Sequence, residues 1–584
     1  MYNIKIRNVN QNQIKTIANK YNLNENVVKL LLGRGYNEEY IELLTASEVG
    51  LINPHNSFKF VEEAAYEIAE YIQNDDAKIY IYGDYDSDGI NAGFIIGDCI
   101  KQLITVMESK CELEVCLPNR SDGYGLSLNW CEHVYKDSLE NNKNALVITV
   151  DNGITKREEA EYLINHNINV IITDHHVPKE GYVPENCLVV DPWLNDLDNE
   201  DAKGLCGAAV AYKICAYLLE DIYKDTSEYH LLYVPHVAIA TITDMMPITK
   251  ENIAFVKYGL TLIEQEYCTD GILHYKNFIG KSVTPKDIAF ELGPQLNACG
   301  RMGRTEVAGD LFFGCDDSEI DDVYNEIFNI NVSRKEKEKE IIEEIFSRSF
   351  DDNDKILITY VEDLGGLGGS VASKIVEKYQ KPVILLTGDK DLLHGSARSF
   401  GNLDLQEIFA QEVKNGNMID FGVHHAAAGV YIKKNKIKSL QDSLNKQLEN
   451  ISIENIEEET TIFVDGELTL SNINKKTAEI YNGIPFFNDL KEPVYVIPNV
   501  TIHSTSTSKN NPNNICFNMT DDTVVLTKNK YNKMVGKEFW AWGYTPKYEA
   551  LGSPKKVNVI GQVVQDFRNP KYYTLQIIDM VPAI

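Results

Sequence analysis

From Lys78 the chain alternates short apolar runs with helix-length stretches. KIYIYG is followed by Ile90–Leu103 and ALVITV by Lys156–Ile164, while LEVCLP, NVIIT and LVVDP supply further short runs. Strands that alternate with helices predict a parallel sheet covered on both faces. Helical stretches follow at Gly207–Leu219 and His236–Met245. Upstream, residues 1–75 read as helical segments, for example Asn26–Gly33 and Val61–Ile72. Residues 317–347 contain no Gly or Pro and favour helix by propensity. As one helix they would reach about 46 Å at 1.5 Å per residue, the form of a rigid connector between two domains. A second α/β pattern begins behind it, with DKILITYV, a Gly-rich turn, a helix Val371–Tyr379 and KPVILLTG. From Thr461 the chain is rich in strand formers and turn residues, as in TIFVDGELTL, PVYVIP, TVVLTK, FWAWGY, VNVIGQVV and YYTLQIIDM. Short strands at this spacing predict a small barrel or sandwich.

A chain of 584 residues is expected to hold three or four domains. Hydrophobic residues at 43% and charged residues at 24% are ordinary for a globular protein and exclude a fibrous or disordered chain. No apolar run approaches the length of a transmembrane helix. The opening MYNIKIRNVNQ lacks a signal-peptide core, so a cytoplasmic location and no membrane partner are expected. The eleven cysteines form no CxxC pair and read as buried thiols. The net charge of −31 speaks against a protein that holds duplex nucleic acid by bulk charge. It leaves room for a local basic groove. From Thr461 onward 13 basic side chains face 11 acidic ones, so the tail differs electrostatically from the body and is a separate domain candidate.

The chemistry lies in acids that follow strands. Asp84, Asp86 and Asp88 come just after KIYIYG, and three carboxylates so close repel one another unless a cation neutralises them. An EF-hand loop fails, because its twelfth position is Ile95 and a strand precedes it. Asp151 follows ALVITV, the run Asp174-His175-His176 follows NVIIT, and Asp244 lies in ATITDMMP. One Asp after a strand is usually a helix cap. Strand ends in an open α/β sheet share one crevice, however, and there these groups can meet. Oxygen ligands with one or two imidazoles suit manganese or magnesium better than zinc. Several shared acids suggest two ions about 3.5–4 Å apart, the arrangement of in-line displacement at phosphorus.

In this order GDYDSDG, VDNG, TDHH and the Asp of ATITDMMP resemble the motifs of the DHH phosphoesterase superfamily. LPNRSDGYGL and LGPQLNACGRMGR resemble its RecJ branch, the single-strand-specific exonucleases. GLGGSVASKI, GSARS and GVHHAAAG resemble the DHH-associated domain, and VDGELTL with PFFNDLKEPVY resembles the family's OB-fold segment. The chain departs from that pattern at Tyr82, where His is common, at Lys374, where Arg is common, and at Val423.

The resemblance implies an α/β fold: a parallel-sheet DHH domain joined by a long helix to a second α/β domain, plus a C-terminal OB-like β-barrel. The divisions expected are 1–75 as a helical extension, 76–315 catalytic, 316–350 connector, 351–455 DHH-associated and 456–584 OB-like. Asp84, Asp86, Asp88, Asp151, His175 and Asp244 would hold two divalent cations, manganese or magnesium, with Asp151 bridging. His176 would orient or neutralise the scissile phosphate and Asp174 would fix a histidine tautomer. Arg120, Asn297, Arg301, Gly368, Ser396, Arg398 and His424 would contact backbone phosphates, through Arg forks and close-approaching backbone. The implied activity is 5′→3′ hydrolysis of single-stranded DNA to 5′-mononucleotides, in repair, recombination or replication. A single-strand-binding protein or a helicase is a further candidate partner. Two alternatives stand beside it: a small-substrate DHH phosphodiesterase of nano-RNase or cyclic-dinucleotide type, and a non-catalytic strand-binding scaffold.

Overall fold

The computed structural model describes residues 3–52, 59–194, 200–314, 319–388, 391–424, 426–449, 461–509, 511–528, 534–566, 569 and 571–583. The chain divides into two compact units, Gly50–Ile456 and a second that joins Met1–Val49 to Glu457–Ile584. The stretch 1–75 is therefore shared, with its helix Val61–Ile72 in the larger unit.

The larger unit is built on five parallel strands: β1 (Ala77–Tyr82), β2 (Glu112–Cys116), β3 (Asn144–Val150), β4 (Asn169–Thr173) and β5 (Leu188–Val190). Their order is β2-β1-β3-β4-β5. β1 is buried throughout and β3 at all but its first residue, as a sheet covered on both faces requires. On one face Tyr80, Val147, Val170 and Ile172 pack with Val134 of the helix Leu128–Glu140 and Leu163 of the helix Arg157–Asn165. Tyr82 belongs to that core, its ring 4.6 Å from Trp130, and so has no place among metal ligands. Helices α1 (Ser87–Val106), α2 (Gly207–Tyr217) and α3 (Val234–Thr243) pack on one another. The chain leaves β1 for one neighbour and returns to β3 on the other side. The crevice at the carboxyl ends of β1 and β3 is thus the switch point where such sheets bind ligands.

One histidine is consumed by this core. His236 on α3 is fully buried and stacks on Phe94 with ring centroids 4.4 Å apart. Its Nδ1–H donates to Asn91 Oδ1 at 2.7 Å and its Nε2 accepts from Thr269 Oγ1 at 3.0 Å. Burial pushes its pKa down to about 3. Below the ordinary value of 6.5 the unfolded chain binds a proton that the folded chain refuses until about pH 3. Stability is therefore full above pH 6.5 and is lost as pH falls. The slope from this group approaches about 1.4 kcal/mol per pH unit. His236→Gln should flatten the pH dependence of the urea midpoint between pH 7 and 4 by about one proton.

Helices α4 (Gly293–Arg301) and α5 (Ile320–Phe346) follow; the first two residues of the predicted 317–347 helix lie outside the described residues. Tyr324 and Ile327 are buried on the first half of α5, which packs against α4. Ile341 and Ile345, on its second half, enter a different core with Leu357, Leu364, Val371 and Ile375. The helix thus shares its two halves between two cores. That second core belongs to a sheet of β6 (Leu357–Tyr360), β7 (Val383–Thr387), β8 (Leu392–Arg398), β9 (Asp420–His424) and β10 (Ala427–Lys433), in the order β9-β10-β8-β7-β6. Only β6 and β7 run parallel. Helix α6 (Gly368–Tyr379) connects them. GSARS, matched to the DHH-associated pattern, falls in β8, and the described residues of GVHHAAAG fall in the β9–β10 pair.

In the smaller unit the strand Asn3–Ile6 pairs in parallel with Thr461–Val464, across nearly the whole sequence. Arg34 grips Asp465 with two bonds, Nε to Oδ1 at 3.1 Å and Nη2 to Oδ2 at 2.8 Å. Besides short helices, among them Gln11–Tyr21, Glu25–Gly33 and Glu38–Thr45, this unit holds an antiparallel sheet of Lys537–Ala541, Ile515–Thr520, Tyr495–Thr507, Lys556–Gln565 and Tyr573–Pro582, in that order, with Gly466–Glu467 pairing in parallel with Tyr495 and Val496. TVVLTK gives only the two-residue strand Thr527–Lys528, and the strand Ile515–Thr520, buried on both faces without alternation, was not expected. Among the described residues no helix is long and apolar enough to cross a membrane.

Candidate metal centre

The loops after β1, β3 and β4 and the end of α3 bring their acids and imidazoles together. Asp86 caps α1, its Oδ1 accepting from the Asp88 and Gly89 N–H groups at 3.0 and 3.2 Å. Asp88 is held by the first turn of α2, accepting from Gly207 and Ala208 N–H, each at 2.7 Å. Asp151 stands in the left-handed region at φ 61, a conformation Asp tolerates better than most residues. His175 Nε2 lies 3.1 Å from Asp151 Oδ1, 3.6 Å from Asp88 Oδ2 and 3.7 Å from Asp244 Oδ2. Asp244 itself ends a helix rather than a strand.

Three sets of ligand atoms lie within 4.8 Å of one another: Asp84, Asp86 and Asp151; Asp88, His175 and Asp244; and Asp151, His175 and His176. Asp151 belongs to two sets and His175 to two. Asp84 Oδ1 and Asp151 Oδ1 are buried with no hydrogen-bond partner among the described residues. Buried carboxylate oxygens left so are costly unless a cation satisfies them. The oxygen-rich donor set with imidazole fits manganese or magnesium. These clusters can hold metal ions.

The electrostatics agree. Burial first, then the neighbouring acids, pushes Asp84 and Asp151 well above the carboxylate range, Asp88 to about 7 and Asp244 to about 8. Burial lowers His175 to about 4, so it is a neutral imidazole able to ligate. His176 behaves oppositely. Burial opposes its charge, but Asp174 Oδ1, 2.8 Å from its Nδ1, raises it to about 9. Asp174 also accepts from His175 N–H at 2.7 Å and Ile154 N–H at 2.9 Å, so one carboxylate sets the loop and the tautomer together.

Sequence reasoning missed several supports. Trp193 Nε1 donates to the His175 carbonyl at 3.0 Å, and Tyr124 OH lies 3.1 Å from His176 Nδ1. Gly207 is needed for close approach, since a Cβ there would lie 2.6 Å from Asp151 Cβ. Gly207→Ala should displace Asp151 or α2, costing about 1–3 kcal/mol of unfolding free energy measured in urea and weakening manganese binding in calorimetry.

A cleft of about 870 Å³ holds several of the predicted phosphate contacts: Arg120, Arg301, Gly368 and Ser396. Its Arg120 lies 5.2 Å above the ring of Tyr85, in the acidic loop. Arg301 Nη1 donates to the Gly366 carbonyl at 3.0 Å; burial, then Arg120, lowers its pKa to about 10. A Cβ on Gly368 would lie 2.8 Å from Ser396 Oγ, and one on Gly369 2.6 Å from Arg398 Nη2, so the start of α6 is pressed onto β8. Arg398 is not among the lining residues but bonds Ser373 Oγ at 3.2 Å. Asn297 is occupied differently from expectation: its Oδ1 accepts from Ser87 N–H at 2.7 Å and braces the acidic loop. Lys374 turns to Glu377 at 2.9 Å. The His424 side chain lies outside the described residues.

Residues 78–240 match the DHH family, N-terminal domain, and residues 353–450 match the DHHA1 domain. The single-stranded-DNA-specific exonuclease RecJ of Escherichia coli is 30% identical over 404 residues, 65% of this chain and 67% of that protein. The Haemophilus influenzae protein of the same name is 28% identical over 478 residues, 78% of this chain and 80% of that one. Among solved structures, RecJ from Thermus thermophilus in complex with Mn2+ superposes with a TM-score of 0.78 at 21% identity, covering 100% of this chain and 80% of that one.

Proposed function

This chain belongs to the RecJ family of the DHH superfamily, and we propose that it is a single-strand-specific DNA exonuclease that works from the 5′ end and releases 5′-mononucleotides. The observation that carries the reading is the pair of ligand sets sharing Asp151, set beside a cleft lined by Arg120 and Arg301. The catalytic domain in this reading is 76–315, the connector 316–350 and the DHH-associated domain 351–455. The last part, 456–584, is taken as OB-like. Support for that comes from the long strand Tyr495–Thr507, whose pairing shifts register against both neighbours, as a strand bent into two halves of a small barrel does.

In the mechanism Asp84, Asp86, Asp88, Asp151, His175 and Asp244 would hold two cations, manganese or magnesium. Bound there, the pair supplies Lewis-acid neutralisation of phosphoryl charge and a lowered pKa for attacking water. The protein's own residues do the rest. The amides of Gly207 and Ala208 fix the Asp88 carboxylate, so it need not reorganise when charge moves. Asp174 keeps a proton on His176 at neutral pH, giving a cationic N–H for a phosphoryl oxygen. Arg120 and Arg301 present planar forks to the following phosphates. In a protein of net charge −31, these local cations and the bound ions must provide the attraction. A place in DNA repair or recombination follows from this activity.

The test is digestion of 5′-labelled and 3′-labelled single strands with manganese, beside a duplex. Labelled mononucleotide should appear first from the 5′-labelled strand, and the duplex should persist. Early release from the 3′ label, or equal attack on duplex, overturns the polarity or the strand selectivity. Activity confined to di- to pentanucleotides would favour a small-substrate phosphodiesterase.

A further inference from the structure

One ion pair at the cleft takes no part in the reaction outlined above. Lys337, on α5, reaches Asp363 Oδ2 at 2.7 Å, and Asp363 Oδ1 accepts from Gly365 N–H at 3.0 Å. Gly365 adopts φ +51, and the Lys337 ammonium lies 3.5 Å from where its Cβ would stand. The next residue, Gly366, is pressed onto Arg301: a Cβ there would lie 2.7 Å from Arg301 Cα. The Gly-rich turn is therefore held by a cation from each side, Arg301 and Lys337. All of these residues line the cleft.

The two clamps are not equal. Arg301 is bonded to a backbone carbonyl, which a strand cannot replace without breaking the turn. Lys337 is bonded to a carboxylate whose side chain is 73% exposed, while its own is 30% exposed. An ion pair that open to water is weak and easily exchanged. A phosphodiester carries the same single negative charge as a carboxylate and matches it as an acceptor for an ammonium. Asp363 thus occupies the place on Lys337 that a backbone phosphate in the filled cleft would take.

We propose that Asp363 is a built-in stand-in for phosphate. It holds Lys337 over the Gly365–Gly366 turn in the empty cleft and yields it to the strand. Lys337 is then a further phosphate contact, and Asp363 is a positioning residue that sets the threshold for strand binding. The inference rests on the single-strand reading of the cleft.

Asp363→Asn keeps an acceptor for Gly365 N–H while removing the charge. Binding of a labelled 20-mer single strand to the full chain is followed by anisotropy, in chelator to prevent turnover, between 50 and 200 mM salt. Asp363→Asn should bind about 3–10-fold tighter at 50 mM and show a steeper salt slope, by up to about 0.7, the value of one phosphate contact on a single strand. Lys337→Gln should bind about 3–10-fold weaker with a shallower slope, and the double variant should match Lys337→Gln. With manganese, Asp363→Asn should lower KM and leave kcat within about twofold. A merely structural Asp363 would give unchanged or weaker binding at an unchanged slope, and that result overturns the proposal. If the unaltered chain hydrolyses single strands while both variants bind as it does, only the stand-in fails. If the unaltered chain hydrolyses none, the functional reading fails first.

Discussion

Asp151→Asn is expected to lower kcat/KM on a single-stranded substrate by at least about 10³-fold while the protein stays folded. Asp151 is the carboxylate common to two of the three ligand sets, and in the proposed mechanism its loss weakens the binding of both cations. Asn keeps the shape and is at ease in the left-handed conformation at φ 61, where Ala would be strained. The variant also removes one of several buried acids that repel each other, with Asp88, Asp86 and Asp84 pressing on Asp151 after burial itself. The cation-free variant should therefore melt higher than the cation-free parent. Manganese should raise the melting temperature of the parent strongly and of Asp151→Asn little. Thermal melts with manganese and with chelator, beside turnover of a labelled strand, read both effects. Parental turnover together with a parental manganese shift would remove Asp151 from the shared position.

Asp174→Asn is expected to cost about 10–100-fold at pH 8, the range for a group that orients a working histidine, and to recover on acidification. Burial works against charge on His176; the Asp174 carboxylate, more than the Asp244 and Asp88 charges beyond it, lifts its pKa to about 9. Without that carboxylate its largest support is gone, and burial draws the imidazole back down toward its ordinary range. At pH 8 the parent then carries a cationic His176 and the variant a neutral one. Lowering the pH toward 6 returns the proton. The parent should lose the His176 contribution as pH rises past about 9. A kcat profile from pH 6 to 9 decides the matter. Asn also disturbs the bonds to His175 and Ile154 N–H, but that loss would lower the profile uniformly. Parallel profiles would deny His176 its charged role.

Much of the catalytic half was legible because its signals are local. The strands β1, β3 and β4 are nearly unbroken apolar runs, and each is followed within a few residues by an acid of the cluster. The strand order supplies the convergence, which follows from the rule that loops at the carboxyl edge share a crevice. What stayed hidden depends on contacts between distant segments. Asn297 reads as a polar residue in a helix, and only the packing of α4 on the acidic loop gives its oxygen to Ser87. Trp193 lies on a short turn with no chemical signature, yet its indole fixes the backbone of His175, a proposed ligand. Lys337 was one charge among many on a helix of mixed sign. Tyr82, singled out only as a departure from the family pattern, is a core aromatic.

The strand Asn3–Ile6 was invisible for the same reason, since nothing near it announces a partner beyond residue 460. That pairing has a consequence for biosynthesis. A nascent chain emerges from the ribosome amino end first, at about 5–20 residues per second. The first 49 residues are made early, but the segment they assemble with begins at Glu457. They must wait about 20–80 s, through translation of the entire intervening unit, before Thr461–Val464 and Asp465 emerge to receive them. During that interval Arg34 has no carboxylate to clasp and the Asn3–Ile6 edge is open to chaperones.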